Sequence, residues 1–200
     1  MDKIFQALLI VVLPVTIMAQ GNGDKIKSIT TVEQATNFIK SNPELKGKLF
    51  SISSDKDTTE ITLSLFERKI GYTFTFENSI YKIIDTTSHP EFRASYIFLD
   101  GNTLSRGQVD TIRKIIIDKY NEGTPFHDLS MLYAMDYNYL GDGGWFRENT
   151  MMKPYEDAIR NKKMGEIFEV DIPENKWYYV VLKTHDNRRV KTVKLLKIDK

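Results

Sequence analysis

Apolar residues follow three successive rhythms along this chain. Residues 4–18 form an apolar run broken only by Gln6, Pro14 and Thr16, behind Lys3 and ahead of the small residue Ala19. A basic start, an apolar middle and a small residue before a cleavage point read as a secretory signal peptide at 1–19. The rival reading, an uncleaved anchor, needs about 20 apolar residues and a basic flank, and neither follows here. Residues 20–27 are polar and contain glycine, which predicts a flexible start. Thr30-Thr31 then precedes Val32, Ala35, Phe38 and Ile39 on one helical face, and Asn42-Pro43 ends the helix. A period of two takes over at 49–53, 59–66, 72–77 and 80–87, with turn formers between the runs. These predict an antiparallel meander.

Pro90 interrupts the pattern within 88–92 and sets a boundary between 20–90 and 91–200. Beyond it, 94–99 reads as a strand and 108–122 as a helix with Val109, Ile112, Ile115, Ile116 and Tyr120 on one side. Gly123 closes that helix. A short helix over 126–134 turns Phe126, Leu129, Leu132 and Tyr133 inward, and 136–149 reads as a loop. The next helix carries Pro154 in its first turn, where a missing N–H costs nothing, and runs to Gly165. Segments 168–172, 177–183 and 190–198 are extended, the last pairing back on 177–183 as an edge strand with a solvated basic side.

Composition narrows the chemistry. Hydrophobic content of 41% beside 28% charged residues describes a folded chain. A formal net charge of +1 supplies no bulk field toward nucleic acid or membrane. The chain has no cysteine, which removes disulfides, thiolate nucleophiles and thiolate metal sites. His89, His127 and His185 lack metal-ligand spacing, and no metal or cofactor is expected. The run from Asp136 starts like a calcium loop but puts Leu140 and Arg147 where ligands belong. Neither glycine spacing nor a nucleophile elbow points to phosphate binding or serine hydrolysis.

Three pieces do carry chemistry in their order and spacing. They are LGDGGWF at 140–146, MMKPYEDAIRNKKMGEI at 151–167 and KWYYVVLK at 176–183. With RASYIFLD at 93–100 and FHDLSMLYAMD at 126–136, they resemble the parvulin family of peptidyl-prolyl cis–trans isomerases, over about half of the chain. The resemblance implies an α+β fold: a C-terminal antiparallel sheet wrapped by three to four helices, preceded here by a small helix and meander. It also implies a proline slot made by Phe146, Met151 and Tyr155, and a polar cluster of Tyr96, Asp136 and Tyr179.

Tyr96 and Tyr179 stand where the family pattern has histidines, and Gly143 where it has a leucine, which predicts a wider slot. Arg106 is the single base in the loop that carries a basic cluster in phosphate-reading parvulins, so phosphate selectivity is not expected. The implied protein is an exported bacterial foldase of the periplasm or cell envelope, acting on Xaa-Pro bonds of unfolded polypeptides. Its partners are proline-containing chains, not nucleic acid, with no stable membrane insertion after signal cleavage. The alternative is a parvulin-like chaperone or peptide-binding module with weak or no catalysis.

Overall fold

The computed structural model describes residues 20–138 and 140–199. The expected signal peptide at 1–19 lies outside them. The described chain up to Thr87, joined by the segment from Lys191, forms one compact unit, and Ser88–Val190 forms another.

In the first unit, the expected flexible start is a helix, α1 (Gln20–Lys27). Ile26 and Ile29 anchor it in a core with Ala35, Leu45, Ile80, Ile84, Leu196 and Ile198. The buried Lys82 ammonium donates at 2.7 Å to the carbonyls of Ile26 and Lys27, and so caps the helix end. In α2 (Val32–Ser41), Thr31 and Gln34 form a reciprocal capping box. Strand β1 (Lys48–Ser53) follows.

Residues 59–66 are not a strand. They hold α3 (Glu60–Leu65), capped by the Thr59 hydroxyl on the Thr62 N–H. Leu65 and Phe66 are both buried while Ile61 and Leu63 are exposed, so alternation fails. A run this short fits a period of two or of 3.6, and the cap decides. Strand β2 (Thr73–Phe76) pairs antiparallel with β3 (Ser79–Asp100), and β7 (Arg188–Asp199) lies between β1 and β3. The last run therefore pairs with β1, Lys48 opposite Lys197 and Ser53 opposite Thr192, not with 177–183. It is no edge strand: Val193 and Leu195 fill a core with Ile52, Leu65, Phe66 and Ile83.

The two units divide at Thr87 and Ser88, but the strand itself does not break there, since β3 continues through Pro90 into the second unit. Proline tolerates extended backbone, and the Pro90 carbonyl still accepts the Glu148 N–H at 3.2 Å. There β3 pairs antiparallel with β6 (Trp177–Lys183), which pairs with β5 (Ile167–Ile172). The stretch 136–149, expected as a loop, contains β4 (Asp142–Arg147), paired with β3 at Phe92–Phe146.

Alternation in β3 and β6 builds two layers. Ile97, Leu99 and Val180 pack with Val109 and Ile116 of α4 (Arg106–Asn121) and with Phe126 and Leu129 of α5 (Phe126–Tyr133). Phe92, Ala94 and Val181 pack with Tyr155 and Ile159 of α6 (Lys153–Arg160). Ile115 and Leu132, both expected inward, are exposed. The residue α4 buries instead is Arg113, whose guanidinium donates to the carbonyls of Val170 (2.7 Å) and Tyr179 (3.0 Å). Helix α6 ends at Arg160, short of the expected Gly165.

Candidate functional site

The start of α6 is tied down by one buried side chain. Glu156 is 3% exposed, and its carboxylate accepts the backbone N–H groups of Asn149, Thr150 and Met151, each at 2.8 Å. These donors belong to the turn before the helix, where Asn149 takes a positive φ of 65°. Met151 and Met152 are thereby presented at a fixed position, with Pro154 in the first turn behind them.

On the sheet, Tyr96 and Phe98 of β3 and Trp177 and Tyr179 of β6 share one face by parity. The Tyr96 and Tyr179 rings meet edge-on at 5.7 Å, and Tyr155 meets Tyr179 in the same manner at 5.7 Å. The Asp136 segment is docked by the Met135 N–H, which donates to the Phe98 carbonyl at 3.0 Å. The Asp136 carboxylate accepts the Asn138 N–H at 3.2 Å, an Asx turn that holds it toward the tyrosines.

These elements enclose a cavity of about 250 Å³ lined by Tyr96, Asp136, Thr150, Met151, Met152, Tyr155, Ile172, Trp177 and Tyr179. Five of the six residues singled out in the sequence thus share one cavity: Tyr96, Asp136, Tyr179, Met151 and Tyr155. Phe146 is not in the lining. Its ring packs on Phe92 (5.6 Å) and on Tyr155 (5.9 Å), behind the wall.

Trp177, Met152, Ile172 and Thr150 went unnoticed. Trp177 had a signal, since it stands two residues from Tyr179 on a strand. Glycine is required at Gly143, where a Cβ would lie 2.9 Å from the Ala94 carbonyl and 3.5 Å from the Tyr96 ring. Gly141 is required as well, with φ +79° and Ser130 2.9 Å from any added Cβ, while its carbonyl accepts the Tyr96 N–H at 2.7 Å.

Burial sets the electrostatics of the floor. The Tyr179 hydroxyl is pushed up to about 12, by burial first and then by the neighbouring Tyr96 and Asp136. Burial also raises Tyr96; the Asn138 side chain opposes this and Asp136 adds to it. Tyr155 rises furthest, again through burial, with Tyr96 and Tyr179 contributing. All three phenols hold their protons at neutral pH and offer O–H donors in a partly dry site. The histidines are elsewhere: His89 faces Glu91, and His185 packs on Trp145. Among the described residues, no group of three or more His, Cys, Asp or Glu side chains could hold a metal ion.

A ring-sized apolar slot over neutral hydroxyls defines a non-covalent isomerase or peptide-binding class of protein, with no nucleophile-and-base pair in its lining. The family model of the PPIC-type PPIase domain matches residues 78–188. That is more than half of the chain, which therefore belongs to the PPIC-type, or parvulin, family of peptidyl-prolyl cis–trans isomerases. Among solved structures, the chain is similar to NmPin, the parvulin of Nitrosopumilus maritimus. The two share 21% identity over 48% of this chain and 96% of that one, with a TM-score of 0.39. It is similar to the parvulin domain of PpiD from E. coli, at 19% identity over 50% and 90% of the two chains and a TM-score of 0.39. It is also similar to PrsA from Bacillus anthracis, at 19% identity over 85% and 71% and a TM-score of 0.40. No curated protein sequence matches the chain.

Proposed function

We propose that Ser88–Val190 catalyses cis–trans exchange of exposed Xaa-Pro bonds in unfolded polypeptides, without a requirement for phosphate. The observation that carries this is the convergence of Tyr96, Asp136, Tyr179, Met151 and Tyr155 on one cavity. Prolyl exchange breaks no σ bond. Its barrier of about 18–20 kcal/mol is the amide resonance lost as the C–N bond twists. A catalyst needs only to bind the twisted amide better than the planar forms. Met151, Met152, Tyr155 and Ile172 grip the ring and exclude the water that would solvate a planar carbonyl. The Tyr96 and Tyr179 hydroxyls donate to the prolyl nitrogen, whose lone pair is freed as the amide leaves conjugation, and Asp136 orients them.

The apolar run at 4–18 supports an exported protein whose clients are envelope or secreted chains. Among the described residues, no helix is long and apolar enough to cross a membrane. Mass spectrometry of the protein purified from its own cells gives the mature N-terminus; a retained Met1 would rule out cleavage.

The direct test is NMR exchange spectroscopy on a proline peptide. The mature protein accelerates exchange, and Met151→Ala, at a 42% exposed position, removes most of the acceleration while leaving the fold intact. Tyr155→Ala is a poorer probe. Tyr155 is 4% exposed and its loss costs about 3–5 kcal/mol of stability, the range for a buried aromatic. An unaccelerated exchange rate refutes the catalytic reading. The tyrosine pair favours one second reading, a peptide-binding chaperone, because neither ring can move a proton near neutral pH as histidine does. That reading requires peptide binding with no rate gain.

A further inference from the structure

A second cavity of about 370 Å³ adjoins the slot, lined by Phe98, Asp100, Asn102, Asp136, Trp177 and Tyr179. Asp136, Trp177 and Tyr179 line both cavities, so a peptide seated in the slot passes directly by the second one. We propose that this cavity takes the side chain flanking the proline and selects a cation there, lysine or arginine. The inference rests on the slot being a proline site.

Two of the lining side chains are carboxylates and none is basic. The other walls are mainly aromatic: Phe98 meets Trp177 edge-on at 6.3 Å and Tyr179 at 5.4 Å, and Trp177 is 36% exposed. Ring faces beside carboxylates suit a side chain with an apolar stem and a charged head. The stem lies along the rings, and the head reaches the acids.

Both acids are held in place. The Asp100 carboxylate accepts the Asn102 N–H at 2.8 Å, the Asn102 side-chain amide at 3.0 Å and the Thr103 hydroxyl at 3.3 Å. The Met135 N–H bond to Phe98 and the Asp100 N–H bond to the Met135 sulfur, at 3.4 Å, join the two acid-bearing segments. The Asn102 N–H is also the main reason the Asp100 carboxyl sits below the usual carboxylate range. Lys176 lies close enough to feel Asp100 but is exposed and outside the lining. A phosphate or a glutamate at the same peptide position would face two carboxylates and no partner.

NMR titrations of the mature protein test this. One peptide set varies Lys, Ala or Glu just before the proline, and a second set varies them just after it. In one of the two sets, lysine binds about fivefold to tenfold more tightly than alanine, as expected of a partly exposed ion pair with a cation–π contact, and glutamate binds most weakly. The lysine preference shrinks in about 0.5 M salt. Asp100→Asn keeps the oxygen that accepts the Asn102 N–H and brings the lysine-to-alanine ratio close to one. Taking the ratio within one protein cancels any loss of folded material. Equal affinities for lysine and alanine in both sets overturn the inference, as does a preference that Asp100→Asn leaves untouched. Acceleration without a lysine preference leaves the isomerase reading standing; a lysine preference without acceleration does the reverse.

Discussion

Three phenols crowd the floor of the slot, and their protons decide what the site can do. Tyr179 is raised to about 12, and Tyr96 and Tyr155 are also raised, in each case first by burial. For an acid whose folded pKa lies above its ordinary value, the neutral form persists until the pH passes that higher value. The donors are therefore unchanged between pH 5 and about 9. The exchange rate in the bound peptide is expected to be flat across this window, measured as kcat/KM by NMR, and an inflection near neutral pH would show that a histidine-like group is at work. Stability follows the same sign. It holds below the unfolded tyrosine pKa of 10.0 and falls as the pH climbs toward about 12, because the unfolded chain releases its Tyr179 proton first. Tyr179→Phe keeps the ring contacts to Tyr96, Phe98 and Tyr155 and deletes one donor. The rate should drop by about tenfold, the worth of one hydrogen bond made in the transition state, with little change in unfolding temperature. An unchanged rate would assign Tyr179 to packing alone.

Elements position these residues, and Glu156 shows how tightly. Its carboxylate gathers the Asn149, Thr150 and Met151 N–H groups, all at 2.8 Å, so the turn and α6 behave as one piece. Glu156→Gln swaps one acceptor oxygen for a donor aimed at an N–H, and should cost about 1–3 kcal/mol of stability. Met151 then loses its fixed place, so KM for a proline peptide should rise more than kcat falls. An effect on thermal unfolding alone, with KM unmoved, would limit Glu156 to a structural part. Much of this element was legible beforehand: Pro154 marked the helix start, and Met151 with Tyr155 marked its slot-facing side. The helix end was not, because Asn161 stops α6 without a glycine signal. Strand β4 was also hidden, since Asp142–Arg147 is mostly glycine, aromatic and charge, and its strand state comes from pairing with β3. Nothing in the helical pattern marks Arg113 for burial; the carbonyls of Val170 and Tyr179 and the carboxylates of Asp171 (2.6 Å) and Glu169 (3.2 Å) converge on its guanidinium and account for it. The tyrosine cluster was found through family spacing, whereas Trp177 needed only the period of two.

At the scale of the whole chain, the unexpected course of β7 has a testable consequence. The segment from Lys191 to Asp199 belongs with the described residues up to Thr87, although a polar turn joins β7 to the last strand of the other unit. Val193 and Leu195 fill one core of the first unit, and Leu196 and Ile198 fill the other. Full burial of such side chains contributes about 1.5–3 kcal/mol each, so four of them approach the whole stability of a small domain, about 5–15 kcal/mol. Removing the tail also exposes the β1 edge that pairs from Lys48 to Ser53. Ser88–Val190 keeps both of its own cores, around Ile97 and Phe92, and the entire slot. A chain truncated after Val190 should therefore lose the dispersed NMR signals of the first unit and yield to protease there. The signals of the second unit, and the proline-peptide exchange rate, should remain. If the first unit stays protected without its tail, its stability rests on contacts other than β7; if the exchange rate disappears as well, the two units do not fold independently.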